Sequence, residues 1–263
     1  MSNPDYAIAE LMACVLAREF NDYELGAIGA ASQVGMAAIK LARKMHAPNL
    51  GSITGGSGAI NSGLHTLLPS AADYRNLFGA EARVSMEDTV DLEIRGRCHW
   101  ACFGAIQVDK YGNLNMIGIG PDYPKLKMRG PGTVGLSLTG AFPRYYIYLQ
   151  HHDARILVDK VDYISGPGFI DGDPKHDLLK QPGVIGPVLA VTPLCVFDFD
   201  PATRVMRLKS VHPGVSVEEV LSKTGFKPVM PAHVPETTPP RDEELRLLRE
   251  VIDTEGVLRR AKV

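Results

Sequence analysis

The chain has 263 residues, of which 45% are hydrophobic and 22% charged, so it is long enough to bury a sizeable core. Its formal net charge of −2 argues against a nucleic-acid-binding protein, although a local basic patch could still hold a phosphorylated cofactor. The first ten residues are polar and predict no signal peptide, and the apolar runs are too short to span a bilayer. We therefore expect a cytoplasmic protein with no membrane partner.

The first part of the chain predicts a βαβ unit. Apolar residues recur at helical spacing from Ile8 to Leu16, which predicts a first helix that Asn3-Pro4-Asp5 would cap. A short strand from residue 24 then runs into a loop of small residues. A helix over about 34–45 follows, and the next strand, from residue 50, ends in glycines. This alternation is typical of a parallel sheet covered by helices.

The rest of the chain predicts mainly short strands. They are expected at 102–108, 114–119, 145–149, 156–161, 188–197 and 205–211. A short helix is expected from Ser216, then a Pro- and Thr-rich strap over 229–240 and a last helix over 243–252. We see no repeat and no linker, so we expect a single α/β domain over 1–263, with residues 228–263 as its C-terminal strap and helix.

Three glycine-rich loops, at 26–35, 51–58 and 130–135, each follow a predicted strand. In open α/β sheets such loops expose backbone N–H groups that can bind phosphate or stabilise the oxyanion of a thioester under attack. Equally, the glycines could serve only tight turns and close packing. None has the dinucleotide or P-loop spacing, which disfavours an NAD or ATP site.

The cysteine and histidine residues do not form a familiar catalytic or metal-binding pattern. Cys98 and Cys102 flank a histidine, but no second ligand pair follows, so we predict buried thiols and no metal site. His151 and His152 could form a base and its orienting partner, yet a solvated turn is the favoured interpretation. His65 and His99 are isolated and are interpreted as hydrogen-bonded or surface histidines, and no nucleophile elbow is present.

The middle of the chain resembles a known family. Residues 103–115, F-G-A-I-Q-V-D-K-Y-G-N-L-N, resemble the signature G-A-x-Q-V-D-x-Y-G-N-x-N of beta subunits of class I coenzyme A transferases, the glutaconate type. Pro124-Lys125 stand before the 130–135 loop as the family's P-K stands before its G-x-G-G loop. Residues 161–172 and 218–226 resemble its D-Y-V-T-S-P-G-W-I-D-G and E-D-V-L-x-x-T-G-F stretches. The chain is identified as a member.

This resemblance implies an α/β domain with a mainly parallel sheet flanked by helices. It implies an alpha-subunit partner in a heterodimer or heterotetramer, an active site at the subunit interface, and coenzyme A as an acyl-CoA substrate without a permanently bound cofactor. In the transferases, a beta-subunit glutamate after the second strand attacks the acyl-CoA and forms a glutamyl-CoA thioester. Aligned from Ala47-Pro48, that position falls on Gly55 or Gly56, and residues 51–68 contain no Asp or Glu.

In lacking the glutamate, the chain resembles the beta subunits of steroid-ring-degrading CoA hydrolases. In those enzymes a glutamate of the alpha subunit works as a base. Residues 196–215, with V-F-D-F, M-R and H-P-G-V, and the closing residues 242–253 are similar to that subgroup, whereas 168–172 are closer to the glutaconate type. The nearest acids after the loop, Asp73 and Glu81, lie beyond it, and we do not predict a catalytic role for either.

We therefore predict hydrolysis or C–C ring cleavage of a CoA thioester, with the base supplied by the alpha subunit. The predicted catalytic residues are Gly55, Gly56 and Ser57, as a degenerate nucleophile loop, and Gln107. The predicted substrate- and CoA-binding residues are Gly29, Ser32, Gln33, Gly104, Asn113, Gly130 and Gly132. Asp109 and Asn113 are also expected to fix the turn that holds Gln107. Two alternatives stay open: a true CoA transferase with its nucleophile elsewhere, and a non-catalytic CoA-binding subunit.

Overall fold

The structure is a computed structural model that describes residues 5–64, 66–176 and 183–260. The helices are α1 (Ile8–Ala17), α2 (Gln33–Met45), α3 (Met86–Ile94), α4 (Val217–Ser222), α5 (Asp242–Leu247) and α6 (Val257–Arg260). The strands are β1 (Leu25–Ile28), β2 (Gly51–Thr54), β3 (Ala59–Ile60), β4 (Ala82–Arg83), β5 (Trp100–Phe103), β6 (Gln107–Asp109), β7 (Leu114–Asn115), β8 (Gly118–Ile119), β9 (Met128–Arg129), β10 (Arg144–Tyr148), β11 (Leu157–Val158), β12 (Gly186–Val191), β13 (Cys195–Phe199) and β14 (Met206–Val211). Short 3-10 segments lie at Tyr74–Leu77 and Val134–Ala141, and a π-helical turn at Leu248–Ile252.

The chain divides into two compact units. Unit 1 comprises Met1–Phe103 and Thr238–Val263, and unit 2 comprises Gly104–Thr237. The prediction of one domain over 1–263 stays a prediction. Among the described residues, no helix is both long enough and apolar enough to cross a membrane.

Unit 1 is built around strand β1, which pairs in parallel with β2 on one side and β5 on the other. Strands β3 and β4 continue the sheet beyond β2 in antiparallel fashion. Close packing at its centre requires glycine at residue 26, because a β-carbon there would lie 2.2 Å from the Trp100 ring. That ring stacks on Phe20 at a centroid distance of 3.9 Å, and both side chains are buried.

The two ends of the chain meet within unit 1 through ion pairs. Arg18, just after α1, bonds the Glu244 carboxylate of α5 at 2.6 and 3.0 Å. Arg249 bonds the Glu10 carboxylate at 2.9 and 3.0 Å. Because Glu10 and Glu244 are each 1% exposed and each accepts guanidinium hydrogen bonds at both carboxylate oxygens, these pairs fix the C-terminal helices against α1.

Unit 2 contains β10 and β12 in parallel, followed by β13 and β14 in antiparallel order. A smaller sheet joins β11, β6 and β7, and β8 pairs with β9 as a hairpin. The Pro-rich strap runs alongside β14, since Val229 and Glu236 form single bridges with residues of that strand.

The predicted α/β class is confirmed, and the sheet is mixed, with antiparallel strands beyond the parallel ones. Three strand predictions are wrong. The strand expected at 102–108 is broken between β5 and β6, and the one expected at 114–119 is divided between β7 and β8. The strand expected at 188–197 is two strands joined by a turn. The Thr192 hydroxyl makes that turn by accepting hydrogen bonds from the N–H groups of Leu194 and Cys195. The predicted cap of α1 at Asn3-Pro4-Asp5 is wrong, because the N-cap residue is Ala7, whose N–H donates to the Glu10 carboxylate at 2.8 Å. Asn3 and Pro4 lie outside the described residues.

Candidate active site

Two loops of unit 1 leave the sheet side by side. Strands β1 and β2 pair in parallel with Ile28 opposite Thr54, so the chain emerges from both at the same edge. The Gly55 N–H donates to the Ile28 carbonyl at 2.7 Å and holds the two loops together. This is the carboxyl edge of parallel strands, where α/β proteins bind ligands.

Residues 69–72 pack against both loops. The Ala71 N–H and the Ser70 hydroxyl each donate to the Ala30 carbonyl at 2.9 Å. The Gln33 side-chain amide donates to the Pro69 carbonyl at 2.6 Å, so this predicted binding residue supports the neighbouring chain. The loop before α2 is exposed from residue 29 to 31, while Ser32 is 1% exposed. Exposed backbone at a helix N-terminus favours an anionic group.

The backbone around Gly55 and Gly56 leaves no space for a side chain. A β-carbon on Gly55 would lie 2.8 Å from the Ile28 carbonyl oxygen. A β-carbon on Gly56 would lie 2.8 Å from that of Ala72, and the φ of Gly56 is +89°, where L-residues are strained. Neither position can carry the transferase glutamate without a shift of the backbone. The packing of the surrounding backbone and of Ala72 therefore requires glycine at both positions.

The Ser57 hydroxyl is buried and holds the loop. It lies 2.8 Å from the Thr54 hydroxyl and donates to the Thr54 carbonyl at 3.2 Å. The Thr54 hydroxyl also donates to the Ala59 carbonyl at 3.0 Å. Since no base contacts Ser57 among these partners, its geometry is that of a structural hydroxyl.

The acids that follow the loop are engaged at the surface. The Asp73 carboxylate bonds the Arg75 guanidinium at 2.6 Å, and this contact lowers the pKa of Asp73 below its ordinary value. The Glu81 carboxylate accepts from the Asn61 amide at 2.9 Å. Each acid thus already has a partner in this chain.

In unit 2, Gln107 belongs to a buried amide and carboxylate network. Its Oε1 accepts from the Asn115 amide at 2.7 Å and from the Asp162 N–H at 3.1 Å. Its Nε2 makes only a long contact of 3.4 Å to the Asp162 carboxylate. Gln107 is 5% exposed, so the network sets the orientation of its amide. Asn115 and Asp162 were absent from the predicted site, although both lie in the stretches that carry the family resemblance.

Asn113 is fully buried and its amide is saturated. Its Nδ2 donates to the Asp109 carboxylate at 2.9 Å and to the Ile170 carbonyl at 2.7 Å. Its Oδ1 accepts from the N–H groups of Gly168 and Ile170. Burial raises the pKa of Asp109 to about 6, and these hydrogen bonds only partly offset that effect. Asn113 thus holds the turn after β6 and has no remaining polar atom for a substrate, contrary to its predicted binding role.

The other predicted glycines of unit 2 differ in their surroundings. A β-carbon on Gly130 would lie 2.2 Å from the Met116 carbonyl oxygen, so close approach of two backbones requires glycine there. Gly132 has a φ of +98° and open space around it, and its N–H donates to Met116. Gly104 lies in ordinary contact with Tyr148. The two groups of predicted residues thus belong to separate units, six to unit 1 and five to unit 2.

The structure confirms one of the histidine predictions and contradicts another. His99 accepts a hydrogen bond from the Leu25 N–H, as predicted for a hydrogen-bonded histidine, while His65 lies outside the described residues. His151 is exposed, but the solvated turn predicted for His152 is wrong. The ring of His152 is buried between the hydroxyls of Thr192 and Thr224, at 2.8 and 3.0 Å.

The predicted buried thiols are confirmed. All four cysteines are buried and free, and burial raises the pKa of Cys98 to about 12, which leaves an inert thiol. Across residues 5–64, 66–176 and 183–260, no group of three His, Cys, Asp or Glu side chains is placed to hold a metal ion.

The fold and these loops define a class of protein. The family model described as "Coenzyme A transferase" matches residues 10–223, and the chain belongs to this family. The predicted family is therefore confirmed.

Two curated relatives match along nearly the whole chain. One is a glutaconate CoA-transferase subunit of Acidaminococcus fermentans, which is 30% identical over 95% of this chain and 93% of its own. The other is the cholesterol ring-cleaving hydrolase IpdB subunit of Mycobacterium tuberculosis, which is 31% identical over 95% of this chain and 96% of its own.

Two solved structures agree. The glutaconate coenzyme A-transferase of A. fermentans superposes with a TM-score of 0.85 at 28% identity, covering 98% of each chain. The decarboxylase AibA/AibB superposes with a TM-score of 0.83 at 29% identity, covering 98% of this chain and 99% of that one. The names of these relatives describe transfer, ring-cleaving hydrolysis and decarboxylation, so the same fold serves several reactions.

Proposed function

We propose that this chain is the beta subunit of a two-subunit enzyme that hydrolyses an acyl-CoA or cleaves a C–C bond in its acyl group. One observation carries the proposal: β-carbons at Gly55 and Gly56 would meet the Ile28 carbonyl and Ala72 at 2.8 Å. A carboxylate nucleophile does not fit at either position, which removes the covalent glutamyl-CoA route from this loop.

The proposed partner is an alpha subunit that supplies the base. The edge of unit 1 where the two loops emerge is accessible, because Gly56 and residues 29–31 are exposed. The exposed backbone of these residues is proposed to contact a thioester oxygen, and the small side chains leave room for substrate or water. A hydrolytic or enolate-forming step also requires a carboxylate within hydrogen-bond reach of the substrate. Since Asp73 and Glu81 are engaged elsewhere, a second chain is the proposed source of this group.

In unit 2, the proposed role of Gln107 is to present its amide to the acyl group. The long contact of its Nε2 leaves that donor weakly used, whereas its Oε1 is held by two donors. Gly104, Gly130 and Gly132 are proposed to shape the loops beside it.

The test uses the chain co-purified with its alpha partner. Release of free thiol from a panel of acyl-CoAs is measured with and without acetate or succinate as acceptor. Turnover without an acceptor is expected: it is seen as thiol release if the thioester is hydrolysed, or as an acyl-CoA of changed mass if a C–C bond in the acyl group is cleaved. No adduct is expected after hydroxylamine or borohydride treatment. Acceptor-dependent transfer with a trapped acyl-glutamyl adduct would instead establish the second candidate, a true CoA transferase, which the similarity to the glutaconate CoA-transferase of A. fermentans favours. Binding of CoA without turnover of any acyl-CoA would indicate a non-catalytic subunit.

A further inference from the structure

Unit 2 carries a short basic hairpin, which we define as residues 118–129. Strands β8 and β9 form its base, and Lys127 continues the ladder by donating its N–H to the Ile119 carbonyl at 2.8 Å. Its returning arm places Lys125, Lys127 and Arg129 within five residues, and all three are exposed. This local positive charge stands out in a chain with a net charge of −2.

The three cations are available to a ligand. Residues 128 and 129 of this arm are in strand conformation and bends at residues 125 and 127 precede them. The three charges lie close together along the arm, where they can act on one anionic group or on neighbouring ones. Of the carboxylates that the structure describes, none forms an ion pair with them. Arg129 only contacts Tyr123, with its guanidinium 5.6 Å from the ring centroid. Tyr123 is 59% exposed and offers an aromatic surface beside the cations.

The base of the hairpin is fixed to the network that holds Gln107. The Asn115 amide donates both to Gln107 Oε1, at 2.7 Å, and to the Gly118 carbonyl, at 2.8 Å. The Asp162 carboxylate accepts from the Gly120 N–H at 2.8 Å. The hydroxyl of Tyr163 donates to the Gly120 carbonyl at 2.7 Å. A ligand on the hairpin is therefore held in a defined relation to the proposed acyl-contacting amide.

We propose that the basic hairpin binds the phosphorylated nucleotide end of coenzyme A. This inference rests on the proposed function, which makes an acyl-CoA the substrate. Lysine ammonium groups are compact charges suited to phosphate, and arginine adds directed N–H donors. The exposed ring of Tyr123 offers the kind of surface on which a purine base stacks. The 3′-phosphate and the pyrophosphate of coenzyme A supply the matching negative charge.

The test measures the affinity of the complete two-subunit enzyme for CoA and for 3′-dephospho-CoA by titration calorimetry. The wild type is expected to prefer CoA. In a Lys125→Ala, Lys127→Ala double variant, the Kd for CoA should rise by about tenfold, because two charge-assisted contacts are lost. The preference over 3′-dephospho-CoA should shrink towards one, and added salt should weaken the wild type more than the variant.

Two control variants separate this effect from a general loss of charge or structure. Lys44→Ala with Lys227→Ala removes the same charge from exposed lysines outside the hairpin, and it should keep the CoA preference. Lys125→Arg with Lys127→Arg should restore most of the affinity. If the Ala variant discriminates the two ligands as the wild type does, the inference fails and the proposed function stands. If the wild type binds neither CoA nor an acyl-pantetheine, both fail together.

Discussion

The Gly55–Ser57 loop of unit 1 and the turn at Asp109–Asn113 of unit 2 both lie in segments where the family resemblance places function, yet they are built in opposite ways. The loop has almost no side chain, and its shape follows from neighbouring backbone and an alanine. The turn is rich in polar side chains, but these bond one another and are buried. Gly56 of the loop is exposed, whereas most polar atoms of the turn are already used.

The residues of a family motif can therefore be required for two different reasons, the pairing of buried polar groups or the close packing of the backbone. In the turn, Asp109 and Asn113 are needed because the backbone must reverse direction with its buried polar groups paired. In the loop, glycine is needed because a β-carbon would meet the Ile28 carbonyl or Ala72. Mutations in the turn should therefore affect stability first, and mutations in the loop should affect activity together with a smaller loss of stability.

The largest expected effect is that of Asn113→Ala. The change removes the side-chain amide that bonds the buried Asp109 carboxylate and the Ile170 carbonyl, and it removes the acceptor of the Gly168 and Ile170 N–H groups. We expect the free energy of unfolding to fall by about 4 kcal/mol, measured by urea denaturation. Asn49→Ala is the control, since that exposed amide bonds only the Asp22 side chain, and it should cost about 1 kcal/mol or less. Equal losses in the two variants would refute a special role of the turn.

The second test of unit 2 uses pH. Burial lowers the pKa of His152 and His212 to about 4, from an ordinary value of 6.5. Between these values the unfolded chain holds more protons on the two rings, so the free energy of unfolding falls as the pH falls. Each ring contributes on the order of 3 kcal/mol.

The raised pKa of Asp109, about 6, acts in the opposite direction. Its carboxyl takes up a proton in the folded chain first, so it stabilises the fold on acidification and offsets about one histidine. The net loss on going from pH 6.5 to pH 4 is therefore about 3 kcal/mol from these three groups. In His212→Gln the remaining histidine and Asp109 nearly cancel, so the difference between the two pH profiles of unfolding should show this loss. Superimposable profiles would contradict neutral buried rings.

The loop should respond to Gly56→Ala with a loss of about 2 kcal/mol in stability, because the φ of +89° and the contact with Ala72 both disfavour a β-carbon. The kcat/KM of the two-subunit enzyme should fall as the loop shifts. Gly29→Ala is the matched control: its β-carbon would meet only the Ser32 hydroxyl, at 3.8 Å, and stability should change by about 0.5 kcal/mol or less. Adding Ala72→Gly to Gly56→Ala should recover part of the stability, and no recovery would contradict the contact as the cause.

The smallest expected effect is that of Ser57→Ala. Loss of the hydroxyl contacts with Thr54 should cost about 1 kcal/mol, checked by thermal denaturation. The kcat should fall only modestly, through loosening of the loop, and not by the several powers of ten that follow removal of a nucleophile. Thr54→Val is the companion variant, and it should resemble Ser57→Ala. If kcat falls by several powers of ten in Ser57→Ala but not in Thr54→Val, Ser57 takes part in the reaction and its structural role is refuted.

Local patterns predicted the elements from α1 to β2 well. The helices α1 and α2 and the strands β1 and β2 lie where periodicity and the glycine and proline positions put them. The prediction failed at 188–197, where an apolar run conceals a turn made by the Thr192 hydroxyl. Apolar content alone does not distinguish one long strand from two short ones, because both bury the same side chains.

The candidate site could be predicted only in part. Glycine at residues 55 and 56 is visible in the sequence, but not the second reason for it, which is the closeness of Ile28 and Ala72. The burial of His152 depends on Thr192 and Thr224, which are 40 and 72 residues away along the chain. No local pattern reports partners at such separations.

By itself, the sequence determined the coenzyme A transferase family, through ordered motifs along most of the chain, and the absence of any carboxylate from residues 51–68. Both are properties of residue identity and order, and folding does not change them. Only the tertiary structure decided that Asn113 is saturated, that Ser57 holds its loop and that a β-carbon is excluded at Gly55. These depend on which atoms lie within a few ångströms of one another, and folding brings those atoms together from distant parts of the chain.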